Sequence, residues 1–206
     1  ELLQWFESVV SESVGRYPGD PKTVKYGSHP LQVMDLWGDL TSKLWVVSIH
    51  GGYFAAEYDR TVNEPLSRRL ASEGMAVANI EYRRAGSVAD PRETVHDVRD
   101  AIAEVILLAP LESRVVVIGH SAGGYLAITG ATHDGVHAVL PLAPVSDLAG
   151  IAIGGWDEGE IEKWIGEPLG DNSGVWEELQ PDQIGLTHAP MVVIHGSDDR
   201  VVPVEQ

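Results

Sequence analysis

Cysteine is absent from the 206 residues. That absence excludes disulfides and thiolate-held metals, and makes a reducing compartment, the cytoplasm, the expected location. Positive charge is scarce: 14 Lys and Arg stand against 31 Asp and Glu, a formal net charge of −17. Phosphate backbones reward basic surfaces, so a nucleic-acid partner is not expected. The acidic excess reads as solvation of the surface rather than steering of a cationic ligand. Long apolar runs are missing too; no window approaches 18 consecutive apolar residues, so no membrane partner is expected. What remains is a chain 44% hydrophobic with 22 Gly and 12 Pro, enough for one globular domain with a sizeable core. No internal repeat or low-complexity tail is present, and the sequence carries no sign of an oligomeric state.

Short apolar runs alternate with amphipathic stretches. "KLWVVSIHGG", "MAVANIEY", "RVVVIGH", "VHAVLPLAP" and "PMVVIHG" read as strands. "EPLSRRLASEG" reads as a helix with Leu66 and Leu70 on one face and Gly74 as its stop, and "AGGYLAITGATH" as another. The clearest helix is "DPRETVHDVRDAIAEVILLAP". Asp90 is its expected N-cap, Pro91 its first residue and Glu93 its third. Val95, Val98, Ile102, Val105, Ile106 and Ala109 trace one face, and Pro110 ends it. Such alternation predicts an α/β fold, a mostly parallel sheet with helices on both faces. Upstream, "TVKYG" and "LQVMDLWG" predict a hairpin turning at "SHP". Residues of about 149–188 break the rhythm and read as an insertion of short helices capping a pocket. Its Trp156, Trp164 and Trp176 either shape the leaving-group side of a site or pack the insertion against the body.

Three motifs carry chemistry. Gly119-His120-Ser121-Ala122-Gly123 is a G-x-S-x-G between a strand and a helix. A serine on so sharp a turn needs neighbours without side chains, which leaves its hydroxyl exposed above the sheet. The next helix then starts at that hydroxyl, and the Ala122 amide is a candidate donor to a developing oxyanion. Ser121 is the candidate nucleophile. His50-Gly51-Gly52-Tyr53 ends an earlier strand, and its glycines let backbone amides turn toward a neighbouring site. Gly52 and Tyr53 are the candidate further oxyanion donors, with Gly51 giving room and His50 orienting the loop rather than acting as base. Tyr53 and Phe54 either pack or line a substrate pocket. "HGSDDRVVP" ends the last strand with two competing carboxylates, Asp198 and Asp199; Asp147 is a third candidate, whose simpler role is to cap the next turn.

Together these motifs make the chain resemble the α/β-hydrolase superfamily, in its esterase and kynurenine formamidase-like (arylformamidase) branch. The residues that carry the resemblance are "HGGY" at 50–53, "GHSAGG" at 119–124 and "HGSDDRVVP" at 195–203, with "EYRRAG" and "HDVRDAI" as further likenesses. It covers about Tyr26 to Pro203 and puts the acid of a catalytic triad at Asp199. It also implies a structural pair between Arg83 and Asp97. That branch often has Trp where Phe54 stands here. The implied reaction is hydrolysis of a small carboxylic ester or aryl formamide through an acyl-enzyme, with no metal or organic cofactor.

One part of that machinery is missing. The order in this fold is serine, acid, histidine, yet no histidine follows His195. His29, His50, His96, His120, His133, His137, His188 and His195 each sit where a structural role explains them better. "HDGVH" is not a metal motif, since its glycine breaks the helical face that ligands four apart require. The chain opens at Glu1 and stops at "DDRVVPVEQ". The expectation is a chain cut before its last strand, helix and catalytic histidine, beyond Gln206. The alternative is a binding protein that has lost its base and kept the fold.

Overall fold

The computed structural model describes residues 19–170 and 174–206; residues 1–18, and residues 171–173 of the expected insertion, lie outside the described residues. The predicted hairpin is β1 (Lys22–Lys25) against β2 (Val33–Trp37), antiparallel with Val24 opposite Met34. Its connection is closed by the Gln32 amide donating to the His29 carbonyl at 3.0 Å. Four further strands follow: β3 (Leu44–Ile49), β4 (Ala76–Ile80), β5 (Arg114–His120) and β6 (Val136–Leu142). They form one six-stranded sheet in the order β1-β2-β4-β3-β5-β6, in which β4, β3, β5 and β6 run parallel.

Strand alternation divides the core between the two faces of that sheet. Trp45, Val47 and Ile49 face the larger cluster, beneath α2 (Arg92–Leu108) and α3 (Ala122–Gly130). Val46 and Val77 face a smaller one with Trp37 and with Ala71 of α1 (Glu64–Ser72). Gly74, at φ 88, turns the chain out of α1 as expected. On α2 the predicted stripe is buried at Val95, Val98, Ile102 and Val105, while Ile106 and Ala109 are its half-buried margin. The Asp90 carboxylate accepts from the Arg92 amide at 2.9 Å, and Pro91 already has helical dihedrals. α3 is buried all round, wedged between sheet and surrounding helices.

Residues after β6 form four short helices, α4 (Leu148–Gly154), α5 (Glu160–Ile165), α6 (Gly174–Glu178) and α7 (Pro181–Ile184). Side chains tie this segment to the body. The Trp164 indole donates to Thr94 Oγ1 at 2.9 Å, the Tyr125 hydroxyl to the Leu179 carbonyl at 2.7 Å, and Arg99 to the Ile184 carbonyl at 2.8 Å. Another long-range tie is the pair implied between Arg83 and Asp97. Arg83 Nε and Nη2 meet the two oxygens of fully buried Asp97 at 2.8 and 2.7 Å, and Gln32 donates to the same carboxylate at 2.8 Å.

The strand expected at "PMVVIHG" does not form as a continuous ladder. It makes two isolated parallel bridges to β6, Val139 with Met191 and Leu142 with Ile194. The rungs explain the gap. Val139 donates to Pro190, Val192 to Val139, Ile194 to Pro141 and Ala143 to Ile194. The rung between these pairs calls for an N–H at residue 141, and Pro141 has none. Among the described residues, no helix is long and apolar enough to cross a membrane.

Two outcomes follow. Asp97→Ala leaves Arg83 with Glu93 alone, 3.2 Å from its Nη1, and takes the acceptor from Gln32; it should cost about 1–3 kcal/mol in urea unfolding. Pro141→Ala supplies the missing rung, worth about 1 kcal/mol, and should slow amide hydrogen exchange at Val192 and Ile194.

Candidate active site

The end of β5 and the start of α3 meet at Ser121, whose φ of 56° and ψ of −120° lie outside the regions an L residue occupies freely. The surroundings impose that conformation. The Ser121 amide donates to the Leu142 carbonyl at 2.9 Å, and its carbonyl accepts from Gly124 at 2.8 Å and Tyr125 at 3.2 Å. A Cβ on Gly119 would stand 2.0 Å from the Gly123 carbonyl oxygen, and one on Gly123 would stand 2.3 Å from that of Ile49. Both glycines of the motif are therefore required by backbone contact. Gly51 is the third: its Cβ would lie 2.6 Å from the His120 carbonyl oxygen and 3.2 Å from Ser121 Cβ. The loop after β3 is thus laid directly against the turn that carries Ser121.

That loop is itself strained. Gly52, Tyr53 and Phe54 have φ of 112°, 57° and 59°. Two of its carbonyls are occupied, Gly52 accepting from Ala55 at 2.9 Å and Phe54 from Ala85 at 3.0 Å. The amides of Gly52 and Tyr53, and that of Ala122 at the start of α3, have no acceptor among the described residues. The Ser121 hydroxyl also has no hydrogen-bond partner among them, and Ser121 is 8% exposed. One turn therefore gathers an unpaired hydroxyl and three unpaired amides from two separate segments.

Tyr53 and Phe54 part company here. Phe54 is buried, stacked on Trp164 at 3.9 Å between ring centroids and edge-on to Tyr125. It packs the core rather than lining a pocket, because the positive φ turns it inward beneath α5. Tyr53 lines a cavity of about 260 Å³ with Tyr58, Trp156, Glu57, Asp157 and Glu158 among its other walls. Burial, then Tyr58 and the carboxylates of Glu158, Asp157 and Asp199, raises its hydroxyl pKa. Of the insertion's tryptophans, Trp164 and Trp176 are buried and Trp156 is on the cavity wall.

Asp199 sits in a turn that holds it as a carboxylate. Its Oδ1 accepts from the amides of Val201 at 2.8 Å and Val202 at 3.0 Å, which draw its pKa below the ordinary range. Asp198 is exposed. Asp147 caps α4, accepting from the Gly150 amide at 2.9 Å. His195 donates to the Val202 carbonyl at 2.8 Å, with Asp199 3.8 Å away.

No histidine among the eight is hydrogen-bonded to Ser121. His29 accepts from Leu31, His133 from Gly135, and His137 from Val115 where β5 and β6 slip register. His96, His120 and His188 are exposed. His50 lies below the loop, with Nδ1 2.8 Å from the Gly51 carbonyl and Nε2 3.1 Å from Glu81. Both ring nitrogens face acceptors, the Gly51 carbonyl and the Glu81 carboxylate. Burial pushes the Glu81 carboxyl up, but His50 and the Arg84 charge outweigh it and hold it below its ordinary range. Glu81 and Arg84 are the residues of this site that the sequence reading left without a role, although a second arginine in "EYRR" needed a partner as much as the first.

The solved structures of similar fold include esterase B from Lactobacillus rhamnosis bound to a tributyrin phosphonate, at TM-score 0.69 and 23% identity, covering 97% of this chain and 74% of that one. They also include Thermogutta terrifontis esterase 2 phosphonylated by sarin, at TM-score 0.66 and 21% identity, covering 92% and 78%. At such identity they establish the α/β-hydrolase fold alone. Esterase LipC of Mycobacterium tuberculosis is 30% identical over 212 residues, an alignment of 90% of this chain and 52% of that protein. The chain therefore spans about half the length of that relative. Residues 39–206 match the BD-FAE family model, which takes in all three motifs, and the chain belongs to that family within the α/β-hydrolase superfamily.

Proposed function

We propose that this chain carries the nucleophile of a serine esterase that cleaves small carboxylic esters through an acyl-enzyme. The observation that carries the reading is Ser121: a serine forced to φ 56° at a helix start, its hydroxyl unpaired. A hydroxyl held in a costly conformation has no packing purpose that an alanine would not serve better. Support comes from the likeness to proteins named as esterases.

In this reading Ser121 Oγ attacks the ester carbonyl carbon while its proton passes to a histidine. The carbonyl oxygen becomes an oxyanion received by the amides of Gly52, Tyr53 and Ala122. Collapse expels the alcohol with that proton and leaves Ser121 acylated; water, deprotonated by the same histidine, then releases the acid. Asp199 orients the histidine. None of the eight histidines is hydrogen-bonded to Ser121, so the reading calls for a base from outside these 206 residues. The Tyr53 cavity receives the substrate, and its carboxylates disfavour an anionic one. The finer reading, an aryl formamide as substrate, rests on the "HGGY" and "GHSAGG" resemblance; the same attack would then break a C–N bond.

A fluorophosphonate should modify Ser121 in the folded chain, slowly, with the adduct located by peptide mass. Ser121→Ala should lower that labelling by about 10³-fold or more. Adducts spread over other serines at unchanged rate would sink the nucleophile assignment.

Added imidazole should replace the missing base and raise turnover of p-nitrophenyl butyrate over the Ser121→Ala blank. A p-nitrophenyl hemisuccinate should respond less, and N-formyl aniline tests the formamide reading. A chain that labels at Ser121 yet stays inert on all three would be better described as a binding protein.

A further inference from the structure

Of the consecutive arginines in "EYRR", Arg83 is taken up by Asp97, which leaves Arg84 to be explained. Arg84 is 6% exposed, so its guanidinium is a buried charge and must be met. It is met on one side by Glu81, with Nη1 2.5 Å from Oε1. Its remaining hydrogen bonds all go to backbone: Nε to the Ala55 carbonyl at 3.1 Å, Nη2 to that of Ala56 at 3.4 Å, and Nη1 to that of Tyr82 at 3.1 Å. Ala55 and Ala56 directly follow the strained residues Tyr53 and Phe54.

The same carboxylate oxygen of Glu81 takes Nε2 of His50 at 3.1 Å. Through its other nitrogen, His50 meets the Gly51 carbonyl at 2.8 Å. One buried oxygen therefore grips both ends of the loop, Gly51 through His50 and Ala55 through Arg84. Peptide planarity turns that grip into an aim. In a trans peptide the C=O and the following N–H point opposite ways, so drawing the Gly51 carbonyl toward His50 sends the Gly52 amide outward. The Gly52 carbonyl, tied to the Ala55 amide, does the same for the Tyr53 amide. Tyr82 secures the base of the arrangement, its ring stacked on His50 at 4.3 Å and its hydroxyl donating to the His50 carbonyl at 2.8 Å.

We infer that Glu81 and Arg84 are positioning residues for the reaction at Ser121: through His50 and the Ala55 and Ala56 carbonyls they hold the 51–56 loop in the strained form that aims the Gly52 and Tyr53 amides. Neither touches the reacting atoms. The inference rests on the esterase reading above, since amides aimed at nothing need no such support. It predicts that weakening the grip leaves ligand capture intact and slows bond formation, because a small misplacement of oxyanion donors acts on the transition state.

The test is saturation kinetics of fluorophosphonate labelling at Ser121, resolved into a maximal rate and a half-saturation concentration, with Tm measured for each protein. Arg84→Lys keeps a cation beside Glu81 but cannot reach three carbonyls, and Glu81→Gln removes the charge that joins His50 to Arg84. Val77→Ala, buried in the smaller cluster on the other face of the sheet, is the control for lost stability alone. The maximal rate should fall about tenfold to a hundredfold in Arg84→Lys and Glu81→Gln, with half-saturation unchanged, while Val77→Ala labels as wild type below its Tm. If Glu81→Gln does not fold, Arg84→Lys decides alone. Wild-type rates in folded Arg84→Lys, a change confined to half-saturation, or an equal loss in Val77→Ala would overturn the inference and leave the esterase reading standing. Failure of wild type to label at Ser121 even with added imidazole would instead remove the reading on which it rests.

Discussion

Two backbone segments, residues 49–51 and 119–123, meet at Ser121 more closely than side chains permit, and much of the site's construction follows from that contact. Gly119 lies against Gly123 within one turn, Gly123 against the end of β3, and Gly51 against His120 and Ser121. Any Cβ at these positions would meet a backbone oxygen at well under contact distance, so no flexible neighbour could yield. The approach brings the 51–56 loop beside the start of α3, which no sequence-local interaction could do. It also holds Ser121 at positive φ. The surroundings that sustain this strain are extensive: α3 is buried along its whole length, and the Ser121 backbone is tied both to the end of β6 and to its own helix.

Around that contact the chain places its buried charges in pairs. Arg83 and Arg84 are consecutive, yet one reaches α2 and the other the 51–56 loop. Asp97 and Glu81 are their respective carboxylates, and further donors share the load, Gln32 on Asp97 and His50 on Glu81. Buried ion pairs of this kind give modest net stability, but leaving either partner alone is costly, so they fix geometry more than they strengthen the fold. A further pair, Arg60 with Asp35 at 2.6 Å, joins the hairpin strand β2 to the same network, because Arg60 also donates its amide to Glu81 at 3.1 Å. The sheet edge formed by β1 and β2 is thereby linked to the loop over the nucleophile.

Legibility in the sequence followed the range of the interactions concerned. The parallel strands were readable because each is a short, mostly apolar run, and α2 because its stripe recurs at helical spacing. The Ser121 turn was readable because its steric demand falls on residues within two positions of it. The continuous last strand was misjudged because its ladder depends on a partner fifty residues earlier, where Pro141 lacks the N–H for one rung. Phe54 was left open between core and pocket because its direction is set by a positive φ that no neighbouring residue announces.

What the sequence by itself determined about this protein is therefore local: strand and helix identity, and the glycines a strained serine turn requires. These rest on dihedral preferences, periodicity and contacts a few residues apart. Only the tertiary structure decided which groups meet across the fold. It brought Glu57, Tyr58 and Asp157 to one cavity wall with Tyr53, and gathered Glu81, His50 and Arg84 under one loop. Among the described residues it also left no histidine hydrogen-bonded to the Ser121 hydroxyl. Residues with these partners carry no mark in the chain, because a buried charge is answered by whichever residue packing brings within hydrogen-bond reach, at any separation in sequence.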